Sequence, residues 1–192
     1  KRGRFCLSDG LAVHNTPEGA SVGIVKNLSY MTHITIHSNS LSLYEYINPH
    51  ILSVEELKPI DLFNKVKVFI NGCWVGISND PVKLYTMLKT MKCKGIINIY
   101  TSIVFDYKLQ EIRVCNDSGR VTRPLLRVKD KNILLSKSVL DGLKSNELSW
   151  DDLFTDCKIG EAVLEYIDPE EQSLSMISTK PNEMINGTDI KK

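Results

Sequence analysis

The 192-residue sequence lacks a long hydrophobic run, and it lacks a surplus of charge of either sign. No stretch approaches the ~18 consecutive apolar residues of a membrane-spanning helix, which excludes such a helix. The formal net charge is +1, whereas an independent nucleic-acid-binding domain is normally basic. The composition therefore argues against a free-standing domain of that kind, but not against a part of a larger assembly whose charge lies elsewhere.

The cysteines and histidines also lack the spacing that is typical of disulfide scaffolds or metal sites. The five cysteines are odd in number and never form C-x-x-C, at Cys6, Cys73, Cys93, Cys115 and Cys157. This pattern argues against a disulfide scaffold or zinc site and favours a reducing compartment. The four histidines share no metal-ligand spacing with cysteines or acids, so we expect no metal site. His33 and His37 are expected to be exposed on a strand.

The sequence does contain enough apolar residues, 42% hydrophobic, for one domain or two small ones. It begins at Lys1 rather than Met and has no signal-peptide pattern. We therefore expect a fragment of a longer protein.

Turn residues divide the chain into short elements. Asn71-Gly72, between two apolar runs, is the strongest signal for a two-residue hairpin, and Asp9-Gly10 predicts another. Asn79 or Asp80 is predicted to cap a helix that has Pro81 in its first turn and ends at Gly95, with Val82, Tyr85, Leu88 and Met91 or Lys92 at helical spacing. Lys89, Lys92 and Lys94 would place positive charge at the negative end of its dipole.

The remaining pattern predicts strands and two further helical pieces. Helical pieces are predicted within 137–156, and an acidic turn over 168–171. Strands are predicted over 30–36, 102–107, 111–115, 121–128 and 162–167. The fold class expected is α+β, with mixed small sheets, hairpins and a few short helices.

Several stretches, in order, resemble the second-largest, β-type subunit of multisubunit DNA-dependent RNA polymerases in its eukaryotic or large-DNA-virus form. Four collinear motifs at similar spacing carry the resemblance, from Thr16 to about residue 175. They are Thr16-Pro17-Glu18-Gly19 with Val22 to Ser29, Val68 to Gly76, Asp117 to Leu125, and Leu164 to Asp168.

The resemblance implies a domain organisation around the fork region of that subunit. Residues 16–40 would be the fork-side segment, 41–130 an external α+β domain and 131–178 a second small external domain. Residues 179–192 are polar and predict a frayed tail.

It also implies a complex whose catalysis lies elsewhere. The family's active-site Mg²⁺ is held mainly by the largest subunit, so this fragment is expected to bind no cofactor and to be non-catalytic alone. Implied partners are the largest and other polymerase subunits, with DNA template and RNA product in the full complex, and no membrane. The implied location is the nucleus, or the virion or host cytoplasm for a virus.

Two charged residues of the fork-side segment become candidates for a position near nucleic acid. The resemblance places Glu18 near the active centre, where a carboxylate can orient neighbouring cations. Lys26 is a candidate phosphate-facing cation. The alternative is that both are solvated surface charges. For Arg120 and Arg123, pairing with local carboxylates such as Asp117 is preferred over contact with a partner.

The segment before Thr16 departs from the family and resembles the C-terminal end of an intein. A predicted hairpin around Asp9-Gly10 leads into Val13-His14-Asn15, followed by Thr16. The resemblance implies that residues 1–15 are removed by splicing at the Asn15–Thr16 bond. The alternative is a divergent polymerase loop in which His-Asn-Thr is chance.

The residue types suit that chemistry. The Asn15 side-chain amide can attack its own carbonyl carbon, closing a five-membered succinimide and breaking the bond to Thr16. His14 would act as general acid for the departing group. The Thr16 hydroxyl would first accept the upstream segment as an ester, and its amine would then take the acyl group.

A function of another class also fits the pattern. The chain could be a non-catalytic α+β interaction module with a divergent N-terminal loop. Association with a largest-type polymerase subunit would distinguish the two functions.

Overall fold

The computed structural model describes residues 11–12, 25–26, 28, 30–63, 65–130 and 132–178. Its strands are β1 (Leu11–Ala12), β2 (Val25–Lys26), β3 (His33–Ile34), β4 (Leu52–Ser53), β5 (Val66–Ile70), β6 (Cys73–Ser78), β7 (Ser102–Asp106), β8 (Glu111–Cys115), β9 (Val121–Leu126), β10 (Val128–Lys129), β11 (Asn132–Ile133) and β12 (Leu164–Ile167). Its α-helices are α1 (Leu41–Ile47), α2 (Pro81–Cys93), α3 (Lys137–Lys144) and α4 (Pro169–Leu174). These small sheets and short helices confirm the predicted α+β class.

Some predictions remain untested. The hairpin around Asp9-Gly10 and the tail over 179–192 lie outside the described residues. The proposed domain boundaries after residues 15, 40, 130 and 178 stay predictions.

Five strands form the larger sheet, in the order β4-β6-β5-β8-β7. β5 and β6 are the predicted hairpin, and its turn residues Asn71 and Gly72 have φ angles of 49° and 80°. Positive φ at both central positions is what this two-residue turn requires. β5 pairs in parallel with β8, whereas the other neighbours in this sheet are antiparallel.

The edge strand β4 approaches β6 closely at one glycine. Leu52 pairs with Ile77, and Ser53 pairs with Gly76. A Cβ atom at position 76 would overlap the carbonyl oxygen of Leu52. Only glycine therefore permits this pairing without moving the backbone.

Helix α2 has the predicted start and end. Asp80 is its N-cap residue and Pro81 its first residue, and the chain leaves it through Gly95, whose φ is 71°. Leu84 and Leu88 are buried against the larger sheet, but Val82, expected on the apolar face, is exposed. The first core combines residues of α1, α2, this sheet and the connection that follows α2: Leu43, Ile47, Val66, Val68, Ile70, Leu84, Leu88, Ile97, Ile103, Ile112 and Val114.

A second sheet and core follow in the C-terminal half. The sheet has the order β12-β9-β3, with antiparallel pairs. The two predicted helical pieces are α3 and a 3-10 turn, Asp151–Phe154. The second core contains Val139, Leu153, Phe154, Leu164 and Tyr166.

The predicted strand over 30–36 is shorter and oriented differently than expected. Only His33–Ile34 is strand, and Thr35 is buried while Ile34 and Ile36 are exposed. The hydroxyl of Thr35 explains its inward position, since it donates to Asp117 O and accepts from Arg120 N, each at 3.0 Å. His37 is exposed as predicted, but the prediction for His33 was wrong because its ring stacks on Tyr100 with centroids 4.4 Å apart.

The predicted acidic turn over 168–171 is instead the start of α4. Asp168 is its N-cap, and the carboxylate accepts from Glu171 N at 2.8 Å. Pro169 occupies the first helical position, where its missing N–H costs nothing. The acidic residues favour the positive end of the helix dipole.

Candidate functional site

The residues predicted for splicing and for nucleic-acid proximity are not described, with one partial exception. His14, Asn15, Thr16 and Glu18 lie outside the described residues. The backbone of Lys26 lies in β2, opposite Leu11 of β1. The roles of all five residues stay predictions.

The β1–β2 ladder nevertheless relates two segments that the sequence separates. Leu11 and Ala12, from the segment that resembles an intein end, pair with Lys26 and Val25 on the far side of Thr16. The ladder therefore spans the predicted splice junction.

Two lysines and two glutamates form a cluster of paired charges. Lys89 and Lys92 lie on α2, Glu165 on β12 and Glu171 on α4. We call these four residues the lysine–glutamate cluster. It lies where α2, which packs in the first core, meets β12 of the second core.

Each lysine of the cluster contacts both carboxylates. Lys89 Nζ lies 2.6 Å from Glu165 Oε1 and also binds Glu171 Oε1. Lys92 Nζ lies 3.3 Å from Glu165 Oε1 and 3.8 Å from Glu171 Oε2. Lys92 is only 2% exposed, and its ammonium group also donates to Tyr166 O at 2.8 Å. Such a buried charge is tolerated only when it is paired in this way.

Burial and the neighbouring charges shift the ionisation of the cluster in different directions. Burial alone lowers the pKa of Lys89, but Glu171 and Glu165 outweigh it, so this pKa is raised. Burial alone raises the pKa of Glu165, but Lys92 and Lys89 outweigh it and lower the pKa to about 2. At Glu171 burial dominates and raises the pKa. Glu165 therefore holds its negative charge more firmly than Glu171.

A second polar network connects the turn before β9 to the start of α4. Arg120 Nε lies 2.7 Å from Asp117 Oδ1, and Arg120 Nη1 lies 3.4 Å from Asp168 Oδ2. Arg120 Nη2 donates to Tyr100 O at 3.0 Å. The local pairing preferred for Arg120 is thus confirmed. Arg123 lies on β9 opposite Ile167.

A row of aromatic rings runs through the second core to β3. The ring of His33 stacks on that of Tyr100. The ring centroids of Tyr100 and Tyr166 are 4.7 Å apart, and Tyr166 stacks on Phe154 with centroids 4.5 Å apart. Trp150 meets Phe154 edge-on at 5.7 Å. The row fixes the edge strand β3 to the interior.

Many charged side chains of the described ranges pair with one another and link neighbouring elements. Burial raises the pKa of the Cys115 thiol to about 11, which removes the thiolate that a nucleophile needs. Across the described ranges, no group of three or more His, Cys, Asp or Glu side chains is arranged to hold a metal ion. None of the described helices is long and apolar enough to cross a membrane.

Sequence reasoning missed the lysine–glutamate cluster. It assigned Lys89 and Lys92 to the negative end of the α2 dipole, a role that exposed lysines often have. The available signal was the three-residue spacing of these lysines beside Leu88, which puts them on the buried side of the helix. Glu165, within an apolar strand, was a second signal.

Comparison with known proteins identifies the family to which the chain belongs. Residues 68–129, which run from β5 to β10, match the family model described as RNA polymerase Rpb2, domain 4. The chain is 40% identical over 164 residues to the DNA-directed RNA polymerase II subunit RPB2 of Encephalitozoon cuniculi, which covers 85% of the chain and 14% of that protein.

Further relatives from a plant and a virus are also second subunits of DNA-directed RNA polymerases. Identity is 32% to the DNA-directed RNA polymerase II subunit 2 of Arabidopsis thaliana, over 88% of the chain and 14% of the relative. It is 33% to the DNA-directed RNA polymerase subunit 2 of Acanthamoeba polyphaga mimivirus, over 86% of the chain and 14% of the relative. The chain spans about one seventh of the length of these relatives. It therefore corresponds to a segment of the second-largest subunit of DNA-directed RNA polymerases, and this segment includes domain 4.

Proposed function

We propose that this chain acts in DNA-templated RNA synthesis as a structural segment of the second-largest RNA polymerase subunit, flanking the active centre. The similarity to the Encephalitozoon cuniculi subunit over 85% of the chain carries the proposal. The complex is a nucleotidyltransferase, and this segment supplies no catalytic group to it. The Mg²⁺ of the complex is bound elsewhere, mainly by the largest subunit.

The internal contacts support a rigid, non-catalytic role. The lysine–glutamate cluster joins α2 to β12 and α4, and Arg120 joins the turn before β9 to the cap of α4. Charged groups that pair inside the molecule are not available to bind a substrate. A segment stiffened in this way can hold neighbouring parts of a polymerase at fixed positions.

The proposal includes finer roles for the N-terminal residues. Glu18 lies near the path of the nucleic acid and orients neighbouring cations, and Lys26 faces phosphate. The partners are the largest and other polymerase subunits, with DNA template and RNA product. The location is the nucleus, or the virion and host cytoplasm for a viral source.

We also propose that residues 1–15 are an intein end, with His14, Asn15 and Thr16 as the splicing residues. The motif Val13-His14-Asn15 before Thr16 supports this. Splicing at Asn15–Thr16 would remove β1 from its ladder with β2, because Leu11–Ala12 lies on the excised side.

Purification through an affinity tag on the largest polymerase subunit of the source tests the main proposal. Tryptic mass spectrometry of the product should contain the peptide Val114–Arg120. A stable monomer that never enters the complex would contradict the proposal and favour an independent interaction module.

The same digest tests splicing. A peptide that joins upstream sequence directly to Thr16 shows that residues 1–15 are removed. Persistence of the intact peptide Phe5–Lys26 instead would show a polymerase loop or an inactive element.

A further inference from the structure

Strand β3 lies at an edge of its sheet, and apolar side chains in it and next to it are exposed. In the described sheet, β3 pairs with β9 on one side only. Ile34 and Ile36 are 52% and 76% exposed, and Tyr30 just before them is 96% exposed. Leu28 and Met31 are exposed as well. We call these five residues the β3 edge patch.

The backbone beside the patch is oriented for a further strand. Thr35 N donates to Arg120 O and Thr35 O accepts from Gly119 N, each at 2.9 Å, so the polar groups of Thr35 face β9. Because alternate residues of a strand direct their N–H and C=O groups to opposite sides, those of Ile34 and Ile36 face outward. The open edge therefore offers both hydrogen-bonding groups and apolar side chains.

This edge has none of the features that usually block pairing. Residues 28–36 contain no Lys, Arg, Asp, Glu or Pro, the residues that natural proteins place at free edges. The outer edge of β7 differs, because α4 packs against that strand. At the far side of the smaller sheet, Val163, just before β12, donates its N–H to Leu153 O at 2.8 Å. In the described part of the chain no strand pairs with this edge, and an uncharged edge of this kind is expected to be buried in the working protein.

We propose that the open edge of β3 pairs with an apolar strand from a part of the second-largest subunit outside this chain. The inference rests on the proposed function. The relatives are about seven times as long as their match to this chain, so most of their polypeptide lies outside it. A strand on the same polypeptide binds without the loss of translational freedom that a separate protein incurs. The absence of charge in the patch selects an apolar strand.

Thiol labelling in the assembled polymerase tests whether the patch is covered. The full-length subunit carries Ile36→Cys, and the matched control carries Lys144→Cys on the exposed end of α3. We expect the cysteine at position 36 to react at least tenfold more slowly than the one at 144. Equal rates would overturn the proposal.

The partner strand is identified by cross-linking from the same cysteine and by hydrogen exchange. A cross-link to a distant peptide of the second-largest subunit, with slow exchange at the amides of residues 34 and 36, supports strand addition. A cross-link to another subunit or to a second copy overturns the assignment, as does fast amide exchange.

The purification separates this proposal from the proposed function. Absence of the peptide Val114–Arg120 from the purified polymerase overturns both. If that peptide is present but the cysteine at 36 labels as fast as the control, only the edge pairing fails.

Discussion

Lys92 on α2 donates a hydrogen bond to the carbonyl oxygen of Tyr166 on β12, 74 residues further along the chain, at 2.8 Å. The same ammonium group lies within 4 Å of both Glu165 and Glu171. One buried side chain thus links α2 of the first core to β12 and α4.

Replacing this lysine should destabilise the protein strongly. Lys92→Met keeps much of the apolar volume but leaves two largely buried carboxylates with one lysine between them. We expect a loss of about 3 kcal/mol in the free energy of unfolding, the usual range for breaking a buried ion pair. Urea unfolding followed by tryptophan fluorescence measures it. Lys144→Met, on the exposed end of α3, should change the value by less than about 0.5 kcal/mol.

Acid should remove the stabilisation that Glu165 provides. Its folded pKa is about 2, below the ordinary value of 4.5. The ionised form therefore stabilises the fold above pH 4.5, and this contribution is lost as the pH falls toward 2. Glu165→Gln should lower the free energy of unfolding by about 3 kcal/mol at pH 7. The difference from the parent should shrink progressively between pH 4.5 and 2.

Urea unfolding at several pH values measures this difference. Glu161→Gln is the control, because Glu161 pairs with Lys129 on the surface. A difference that stays constant down to pH 2 would show that Glu165 has an ordinary pKa. The pKa of Glu171 is raised, whereas that of Glu165 is lowered. The parent must therefore be compared with Glu165→Gln at each pH to isolate the contribution of Glu165.

A methyl group at position 76 should disrupt the edge of the larger sheet. Gly76→Ala would overlap the carbonyl oxygen of Leu52, and backbone cannot move aside as a side chain can. We expect a loss of about 2 kcal/mol, with faster hydrogen exchange in β4. Gly142→Ala, where the nearest atom belongs to the flexible Leu148 side chain, should be nearly neutral. Equal effects of the two substitutions would contradict this account of Gly76.

The cysteines should differ in reactivity. Cys73 and Cys157 are exposed, whereas burial raises the pKa of Cys115 to about 11. At pH 8 only about one in a thousand Cys115 thiols is ionised, so its alkylation should be far slower. Peptide mapping after short iodoacetamide treatment measures the order. Labelling of Cys115 as fast as Cys73 would show that its surroundings are open.

The splicing hypothesis predicts a different response at each of two adjacent residues. In a precursor with its upstream sequence, Asn15→Ala should abolish cleavage at Asn15–Thr16, because alanine has no side-chain nitrogen to form the succinimide. His14→Ala should slow the cleavage by 10²-fold or more, the usual contribution of a general acid. Gel electrophoresis of the precursor follows both. Unchanged cleavage in Asn15→Ala would exclude this chemistry.

The sequence predicted the elements whose conformation depends on a few neighbouring residues, such as a tight turn or a helix end. Asn71-Gly72 specified its hairpin because few residue pairs tolerate positive φ twice, and Asp80-Pro81 with Gly95 bounded α2. Asp168-Pro169 was an equally local helix start, but its acidic neighbours favoured a turn instead. The α+β class followed from these short, mixed elements.

Contacts between distant residues could not be predicted in the same way. Lys89 and Glu171 are 82 residues apart, and nothing in the sequence specifies that their helices meet. Thr35 illustrates the same limit, since its inward position depends on Asp117 and Arg120. The alternation of residues 30–36 predicted one strand, but only His33–Ile34 is strand, and Thr35 is buried while Ile34 and Ile36 are exposed. The splicing and fork-side residues were chosen from motifs, and they remain predictions.

The parallel pairing of β5 with β8 has a consequence for synthesis on the ribosome. β5 occupies the middle of the larger sheet, but its second neighbour begins 41 residues after β5 ends, beyond β6, α2 and β7. Chain growth therefore delivers the hairpin of β5 and β6 first and leaves one side of β5 without a partner until Glu111–Cys115 emerges. During that interval Val68 and Ile70 lack their β8 neighbours, Ile112 and Val114, and are available for wrong contacts on that side. Nascent chains stalled before residue 111 should consequently be the ones that chaperones hold.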